Sequence, residues 1–213
     1  MNRERNVDVF FGMILAFALW VIMFVMRPFN FWLMMSFSTS LLAAWSFALC
    51  RPMITRDELS LRNVVFGLLA AVLLYALFWV GNQALMILSG ALPSLIPDRA
   101  GNIRAVYANR GGLSPLLVAM LLFFPIGFGE EVFWRGFVQR RLTASWGPWA
   151  AFLCTSLFYT AAHLPTLNPV LILAALTCGL FWGALYMVSG RLVPVLVSHM
   201  LWDPAIFVVW PMK

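Results

Sequence analysis

Three ionisable residues at the end of an apolar run are the strongest sign of chemistry in this sequence. Glu130, Glu131 and Arg135 follow the apolar stretch 115–129, where an ordinary membrane helix carries no charge. A charge at the bilayer centre costs roughly 2.5–3.5 kcal/mol on insertion scales, so each group needs a partner or a wet cavity. In a helix, Glu131 and Arg135 share one face, whereas Glu130 points about 100° away around the axis. We therefore expect an ion pair between Arg135 and Glu131 and a free acid, Glu130, kept for catalysis.

The chain has two histidines, and each lies one helical turn from another polar residue. Tyr159 precedes His163 and His199 precedes Asp203 by four residues, so each pair shares one helix face. At a rise of about 1.5 Å per residue, both histidines and Asp203 lie at a depth that is compatible with that of Glu130. The sequence therefore predicts that Glu130, His163, His199 and Asp203 meet in one buried, hydrated pocket.

A simpler interpretation exists for several of these residues. A single buried histidine is usually a structural group whose hydrogen bonds are satisfied. We prefer a functional interpretation because both histidines fall at the depth of an unpaired acid. Tyr159 is interpreted as aromatic packing beneath His163, and Glu131 with Arg135 as the ion pair that orients Glu130.

The composition is that of an integral membrane protein. Apolar residues make up 63% of the 213 residues and charged residues 10%, whereas a soluble domain carries about 25% charged residues. A spanning helix needs about 20 apolar residues, so we predict an all-α polytopic bundle of about seven transmembrane helices. Their approximate ranges are 9–26, 29–50, 63–88, 115–142, 148–163, 169–188 and 192–210.

We expect one bundle with two parts. Residues 1–114 form N-terminal transmembrane helices and an outer loop, and residues 115–213 form a catalytic core with the polar residues. The long loop 89–114 is expected to be a short amphipathic segment on the outer surface or a lid. The loops on the same side of the membrane as the N-terminus carry eight basic residues, and those on the other side carry five. This excess places the N-terminus in the cytoplasm. Gly179 and Gly183 form a G-x-x-x-G pattern, interpreted as a close contact between helix backbones.

The remaining residues argue against several other functions. The net charge of +6 comes from basic residues scattered over loops, which indicates membrane lipids as partners and no nucleic acid. Cys50, Cys154 and Cys178 lie in apolar runs without C-x-x-C spacing, so we interpret them as small apolar residues and not as a disulfide. The first apolar run lacks a small-residue cleavage site, so we interpret it as a retained span.

Three segments resemble the motifs of a known family, the CPBP group of CAAX prenyl proteases and bacteriocin-processing, Abi-like proteins. A match to its E-E-x-x-x-R motif occurs in GEEVFWRG, to its F-x-x-x-H motif in SLFYTAAHL, and to its H-x-x-x-N/D motif in SGRLVPVLVSHMLWD. The three occur in the family's order and lie within or at the ends of apolar spans. The resemblance covers residues 115 to about 204 and implies a glutamic-type intramembrane endopeptidase.

The resemblance also implies roles for individual residues. Glu130 and His163 would bind and deprotonate a water that attacks the scissile carbonyl, and His199 with Asp203 would stabilise the oxyanion. Two positions depart from the motifs: Tyr159 stands for Phe, and Asp203 for the Asn of many members. An ionised Asp cannot donate a hydrogen bond. Asp203 is therefore expected to hold His199 in one tautomer or keep it protonated, which leaves His199 as the donor.

A zinc-dependent mechanism is the alternative. Glu130, His163, His199 and Asp203 could ligate Zn²⁺, because two histidines and one carboxylate form a known catalytic zinc set with water in the open position. The sequence has no H-E-x-x-H motif, and the resemblance points to a glutamic-type protease. We therefore expect no cofactor, with zinc as the second possibility.

The expected partner is a membrane-anchored protein or peptide substrate. Its tail would be either a C-terminal sorting helix or a lipid-modified C-terminus, cleaved in a prokaryotic inner (plasma) membrane. A non-catalytic bacteriocin-immunity or scaffold protein is the first alternative, because some relatives are known chiefly for immunity. A proton-coupled transporter is the second, although the sequence lacks the internal repeats that transporters commonly have.

Overall fold

The protein is a bundle of α-helices, which confirms the predicted all-α membrane fold. The computed structural model describes residues 2–51, 53–91, 98–108 and 112–212, and no β-strand occurs among them. We number the helices in chain order. Their bounds are Asn2–Val21 (α1), Phe31–Leu49 (α2), Leu61–Ala91 (α3), Arg99–Tyr107 (α4), Pro115–Leu121 (α5), Phe128–Glu131 (α6), Arg140–Trp146 (α7), Pro148–Ala162 (α8), Pro169–Ser189 (α9) and Val193–Pro204 (α10).

Two of the seven predicted spans match their predicted bounds to within one residue but are shorter than the roughly 20 residues that cross a bilayer. Helix α8 has only 15 residues, because Pro148 begins it and a short 3-10 turn at Leu164–Thr166 follows it. The last apolar segment, Val193–Val209, consists of α10 and a π-helical turn. Within the described ranges, five segments are long and apolar enough to cross a membrane: Val7–Met26, Phe31–Leu49, Leu61–Ala91, Pro115–Trp146 and Pro169–Ser189.

Capping residues and prolines set several helix ends. Ser114 accepts a hydrogen bond from the backbone N–H of Leu117 at the start of α5, and Asn168 accepts one from Leu171 at the start of α9. A proline follows each cap, where its missing N–H costs no helical hydrogen bond. Helix α9 ends at Ser189 and is followed by Gly190, whose φ of 62° lies in the left-handed region that favours glycine. The predicted turn signals therefore act as helix boundaries.

The segment that carries the two adjacent glutamates is irregular. Phe124 has extended backbone angles, φ −153° and ψ 125°, and interrupts the helix before Pro125. Proline disfavours the helical conformation in the residue that precedes it. After α6, residues Val132–Gln139 form a π-helical stretch, a rare conformation that is frequent at functional sites. The predicted span 115–142 is thus several short helical pieces.

Glycines allow the helices around this segment to approach closely. A Cβ on Gly129 would lie 2.7 Å from the carbonyl oxygen of Thr39, so α6 and α2 contact each other through their backbones. In α9, a Cβ on Gly179 would lie 3.1 Å from the carbonyl oxygen of Ser156 in α8, and one on Gly183 would lie 2.9 Å from the Ser156 hydroxyl. The interpretation of the G-x-x-x-G pattern as a backbone contact is therefore confirmed.

The N-terminal half anchors the start of α10, the helix that carries His199. The buried carboxylate of Glu58 accepts hydrogen bonds from the backbone N–H groups of Leu192 at 2.7 Å and Val193 at 3.3 Å. It thereby satisfies donors that a helix N-terminus leaves unpaired. Along α3, a Cβ on Gly67 would lie 2.7 Å from the carbonyl oxygen of Pro194, so α3 and α10 pack tightly.

Helix α4 occupies most of the described part of the predicted loop 89–114. The Tyr107 hydroxyl donates to the carbonyl of Ile206 at 3.2 Å, and the side-chain amide of Asn168 donates to the carbonyl of Asn102 at 2.9 Å. Helix α4 is therefore held against the start of α9 and the end of the last helix. Residues 92–97 and 109–111 of the loop, which include Arg110, fall outside the described residues.

Candidate active site

Five of the polar residues singled out in the sequence line one central cavity. It has a volume of about 90 Å³ and lies between α6, α8, α9 and α10. One water molecule in the liquid takes about 30 Å³, so the cavity has room for a few waters. Its lining includes Glu130, Tyr159, His163, His199 and Asp203. The sequence analysis predicted that Glu130, His163 and His199 share one pocket, and the structure places all three side chains on this cavity.

Glu131 and Arg135 form an ion pair without contact with solvent. Nη1 of Arg135 lies 2.8 Å from Oε1 of Glu131, and both side chains are 0% exposed. A second guanidinium nitrogen donates to the carbonyls of Cys178 at 3.4 Å and Gly179 at 3.2 Å in α9. A buried charge is tolerated only when it is paired and hydrogen-bonded, and this arrangement satisfies both conditions. The ion pair therefore also ties the irregular segment to α9.

His199 lies between two carboxylates. Its Nδ1 is 2.7 Å from Oε1 of Glu131, and its Nε2 is 3.2 Å from Oδ2 of Asp203. An ionised carboxylate only accepts hydrogen bonds, so both ring nitrogens must donate, and the ring then carries a positive charge. This geometry agrees with the expectation that Asp203 keeps His199 protonated. The bond to Glu131 was not foreseen, because nothing in the sequence relates residues 68 positions apart.

Glu130 lines the same cavity, and the positive charge of His199 acts on it without a direct ion pair among the described residues. Its Oε2 is buried without a hydrogen-bond partner among the described residues. The phenol of Tyr159 is close enough to interact with the Glu130 carboxylate. Tyr159 also packs against His163, with ring centroids 5.0 Å apart, as expected from its position one turn earlier. Tyr159 therefore contacts two of the polar residues that face the cavity.

The ring of His163 is oriented by its own helix. Its Nδ1 lies 2.8 Å from the carbonyl oxygen of Tyr159, to which it must donate. In the neutral ring this leaves Nε2 as the acceptor. The rings of Phe24 and Trp20 surround the imidazole at centroid distances of 5.7 and 6.4 Å. His163 therefore has the lone pair that is needed to hold a water molecule.

The arrangement does not fit the zinc set considered from the sequence. A zinc ligand must present a ring nitrogen with a free lone pair. Both nitrogens of His199 instead face carboxylates, Glu131 and Asp203. Within the described parts of the chain, no group of three or more His, Cys, Asp or Glu side chains has the geometry to hold a metal ion. We therefore derive no catalytic step through a metal.

The N-terminal half contributes an apolar wall to the cavity that the sequence did not reveal. Its residues at the cavity are Phe24, Phe31, Trp32 and Met35. The chain contains 19 Phe, 10 Trp and 12 Met residues, so none of the four is distinguished by its type. The central cavity is therefore built by both predicted parts of the chain.

A larger apolar chamber adjoins the central cavity. It has a volume of about 340 Å³ and is lined by α3, α4, α9, Trp202 of α10 and the residues that follow α10. Among the described residues that line it, only Asn82, Thr177 and Tyr107 carry a side-chain oxygen atom, and none is charged. Residues shared by the two linings are Val106, Leu171, Ala174, Trp202 and Phe207. Helix α4 therefore contributes to both linings, and the lid interpretation of the loop stays a prediction.

One protein family matches the part of the chain that forms most of this site. Residues 112–205 match the family model described as Rce1-like: Type II CAAX prenyl endopeptidase Rce1-like. The match includes all three motifs and less than half of the chain, and it confirms the resemblance to the CPBP group over these residues. No curated protein and no solved structure matches the chain.

Proposed function

We propose that the chain is a glutamic-type intramembrane endopeptidase that cleaves the tail of a membrane-anchored protein. The observation that carries the proposal is the free carboxylate of Glu130 on the same cavity as His163, whose Nε2 is the ring's acceptor. The match of residues 112–205 to a CAAX prenyl endopeptidase family supports a peptidase.

Water held between Glu130 and His163 is the nucleophile in the proposed reaction. Glu130 takes a proton from the water as its oxygen attacks the scissile carbonyl, and the negative charge moves to the carbonyl oxygen. Glu130 then returns the proton to the amide nitrogen as the C–N bond breaks. The products are a carboxylic acid and an amine.

The cation of His199 is the group that we assign to the oxyanion. Its Nε2 faces Asp203 at 3.2 Å, a longer contact than the 2.7 Å between Nδ1 and Glu131. The Nε2–H is thus the one more easily shared with a developing negative charge. Because the side chain of His199 is buried, such a contact is stronger than it would be in water. Glu131 and Arg135 hold the ring in place and do not react.

We propose a lipid-modified C-terminus, and not a sorting helix, as the substrate. An α-helix with its side chains is about 10–12 Å wide. The apolar chamber of about 340 Å³ suits something thinner, such as one hydrocarbon chain. Since the chamber adjoins the central cavity, a substrate could place its lipid there and its scissile bond at Glu130.

A narrowed chamber is expected to impair cleavage of a lipid-bearing tail. Gly81 lies on the chamber wall, and a Cβ there would meet nothing within 4 Å, so a larger side chain would occupy the chamber. We expect Gly81→Leu to lower kcat/KM for a lipid-modified peptide about tenfold or more, measured by mass spectrometry of the products.

The matched control for this variant is Gly90→Leu. Gly90 lies in the same helix, has equally open space around it and does not line the chamber. It is expected to cleave like the wild type. Equal activity of the two variants, or preferential cleavage of an unlipidated membrane helix, would refute the lipid substrate without refuting the peptidase.

The proposed reaction needs no metal ion, so chelation is expected to leave it intact. Treating the purified protein with EDTA or phenanthroline should change the cleavage rate less than about twofold, because no step passes through a metal in the Glu130 and His163 mechanism. The rate is followed with the same peptide before and after dialysis. A loss of activity that added Zn²⁺ restores would overturn the metal-free mechanism.

We place the protein in a prokaryotic plasma membrane with its N-terminus in the cytoplasm. The excess of basic residues on one side of the predicted helices supports this orientation. Several of the counted groups, the side chains of Arg3, Arg5, Arg110 and Lys213, lie outside the described part of the structure. The proposal therefore depends on the sequence pattern.

A further inference from the structure

The indole ring of Trp182 in α9 lies flat against the imidazole ring of His199. The ring centroids are 3.7 Å apart, and the ring planes differ by 16°. The indole N–H donates to the hydroxyl of Ser198 at 3.1 Å, and Trp182 is fully buried. Its contact with Trp202 is edge-on, with planes 83° apart. The indole is thus fixed against one particular polar side chain.

Trp182 completes the support of His199 in a direction that the carboxylates do not cover. Glu131 and Asp203 hold the two ring nitrogens and so act in the plane of the imidazole. The stacked indole acts on the face of the ring. Without it, the imidazole could rotate about its Cβ–Cγ bond as far as its two hydrogen bonds can bend. Such a rotation would move the Nε2–H away from the carbonyl oxygen of a substrate in the cavity.

The stack is also favourable electrostatically. The face of an aromatic ring carries negative charge and attracts cations, most strongly for tryptophan. His199 donates from both nitrogens to carboxylates and is therefore a cation. The guanidinium of Arg135 also lies over the Trp182 ring, 5.7 Å from its centroid. Trp182 therefore contacts both positive charges of the buried cluster.

We propose that Trp182 is a positioning residue that holds His199 in the orientation required to stabilise the oxyanion. This inference rests on the proposed peptidase reaction. Trp182 acts through His199 and forms no bond with the substrate. Because the charge on the carbonyl oxygen develops only during the reaction, a loss of this positioning changes kcat and leaves KM nearly unchanged.

Replacing the indole with a non-aromatic side chain tests this proposal. Trp182→Met is expected to lower kcat on the order of 10²-fold with KM within about twofold, since small displacements of a catalytic group have effects of that size. Trp182→Leu is a second non-aromatic variant with the same expected effect, and it replaces Trp182→Met in the test if that variant does not fold. Trp182→Phe keeps an aromatic face against His199, and it is expected to retain kcat within about threefold.

A buried aromatic residue away from the cavity provides the control. Phe133 is 0% exposed and does not line the central cavity. Phe133→Met is expected to lower thermal stability and to leave kcat unchanged at temperatures where the protein is folded. A kcat of Trp182→Met equal to that of Phe133→Met, or a Trp182→Phe variant as slow as Trp182→Met, would overturn the positioning role. An inactive wild type would instead overturn the proposed peptidase function.

Discussion

Glu130→Gln is expected to lower kcat by about 10³-fold or more. Glutamine has nearly the shape of glutamate but cannot take a proton from water, so the variant removes general-base catalysis and little else. General-base catalysis contributes typically 10²–10⁴-fold to a rate. The same group also returns the proton to the leaving amine in the proposed reaction. The measurement is the initial rate of product formation from a lipid-bearing tail peptide, followed by mass spectrometry.

A second buried glutamate provides a matched control for this substitution. The side chain of Glu58 is buried against the start of α10, where it accepts backbone hydrogen bonds. It lines neither the central cavity nor the apolar chamber. An amide oxygen can accept the same bonds. Glu58→Gln is therefore expected to keep kcat within about threefold. If Glu130→Gln cleaved as fast as Glu58→Gln, the Glu130 mechanism would be wrong.

This comparison also separates the peptidase from the non-catalytic alternative. An immunity or scaffold protein would keep its biological effect in Glu130→Gln, because its surface and packing are unchanged. A peptidase would lose that effect together with cleavage. Glu130 is well suited to the test because its Oε2 has no hydrogen-bond partner among the described residues. The substitution therefore breaks no hydrogen bond of that oxygen.

The meeting of the polar residues could be predicted because ionisable groups are expensive in a membrane. Glu130, His163 and His199 had to share surroundings that repay the cost, and their helical spacing and depth indicated one pocket. The i,i+4 spacing of Glu131 and Arg135 likewise indicated the ion pair. The helical spacing of residues and the cost of burying a charge can both be judged from the sequence. These features could therefore be predicted without a structure.

Contacts between distant segments could not be predicted in the same way. The bond between His199 and Glu131 and the stack of Trp182 on His199 depend on how three helices are placed relative to one another. No spacing rule relates residues so far apart in the chain. Trp182 was moreover one of 10 tryptophans, and its position within the Gly179–Gly183 pattern indicated only helix packing. Its position against a histidine is visible only in three dimensions.

The irregular backbone of the fourth span lies between these two cases. Pro125 was a visible signal for a break, since proline disfavours a helix at the preceding residue. The π-helical stretch Val132–Gln139 has no comparable signal, because its hydrogen-bond pattern depends on packing against α2, α8 and α9. The predicted depth of Glu130 assumed a regular α-helix over the whole span and was therefore only approximate.

Arg135→Met is expected to destabilise the fold by about 3–5 kcal/mol. The substitution leaves two buried carboxylates, Glu131 and Asp203, to share one cation, His199. The cluster then carries one uncompensated negative charge, and the penalty for an unpaired buried charge is of that size. It also removes the hydrogen bonds to the carbonyls of Cys178 and Gly179 in α9. The free energy of unfolding is measured by denaturant titration of the purified protein in detergent micelles.

Two further variants show whether the buried charge causes this loss. In the double variant Glu131→Gln with Arg135→Met, no unpaired charge remains, and a glutamine oxygen still accepts from His199. We expect at least half of the lost stability to return, since residues in contact are coupled by about 0.5–3 kcal/mol. Arg191→Met breaks an exposed pair with Asp57 and is expected to leave stability nearly unchanged. A double variant no more stable than Arg135→Met would mean that the guanidinium acts through packing and its bonds to α9, and not by neutralising Glu131.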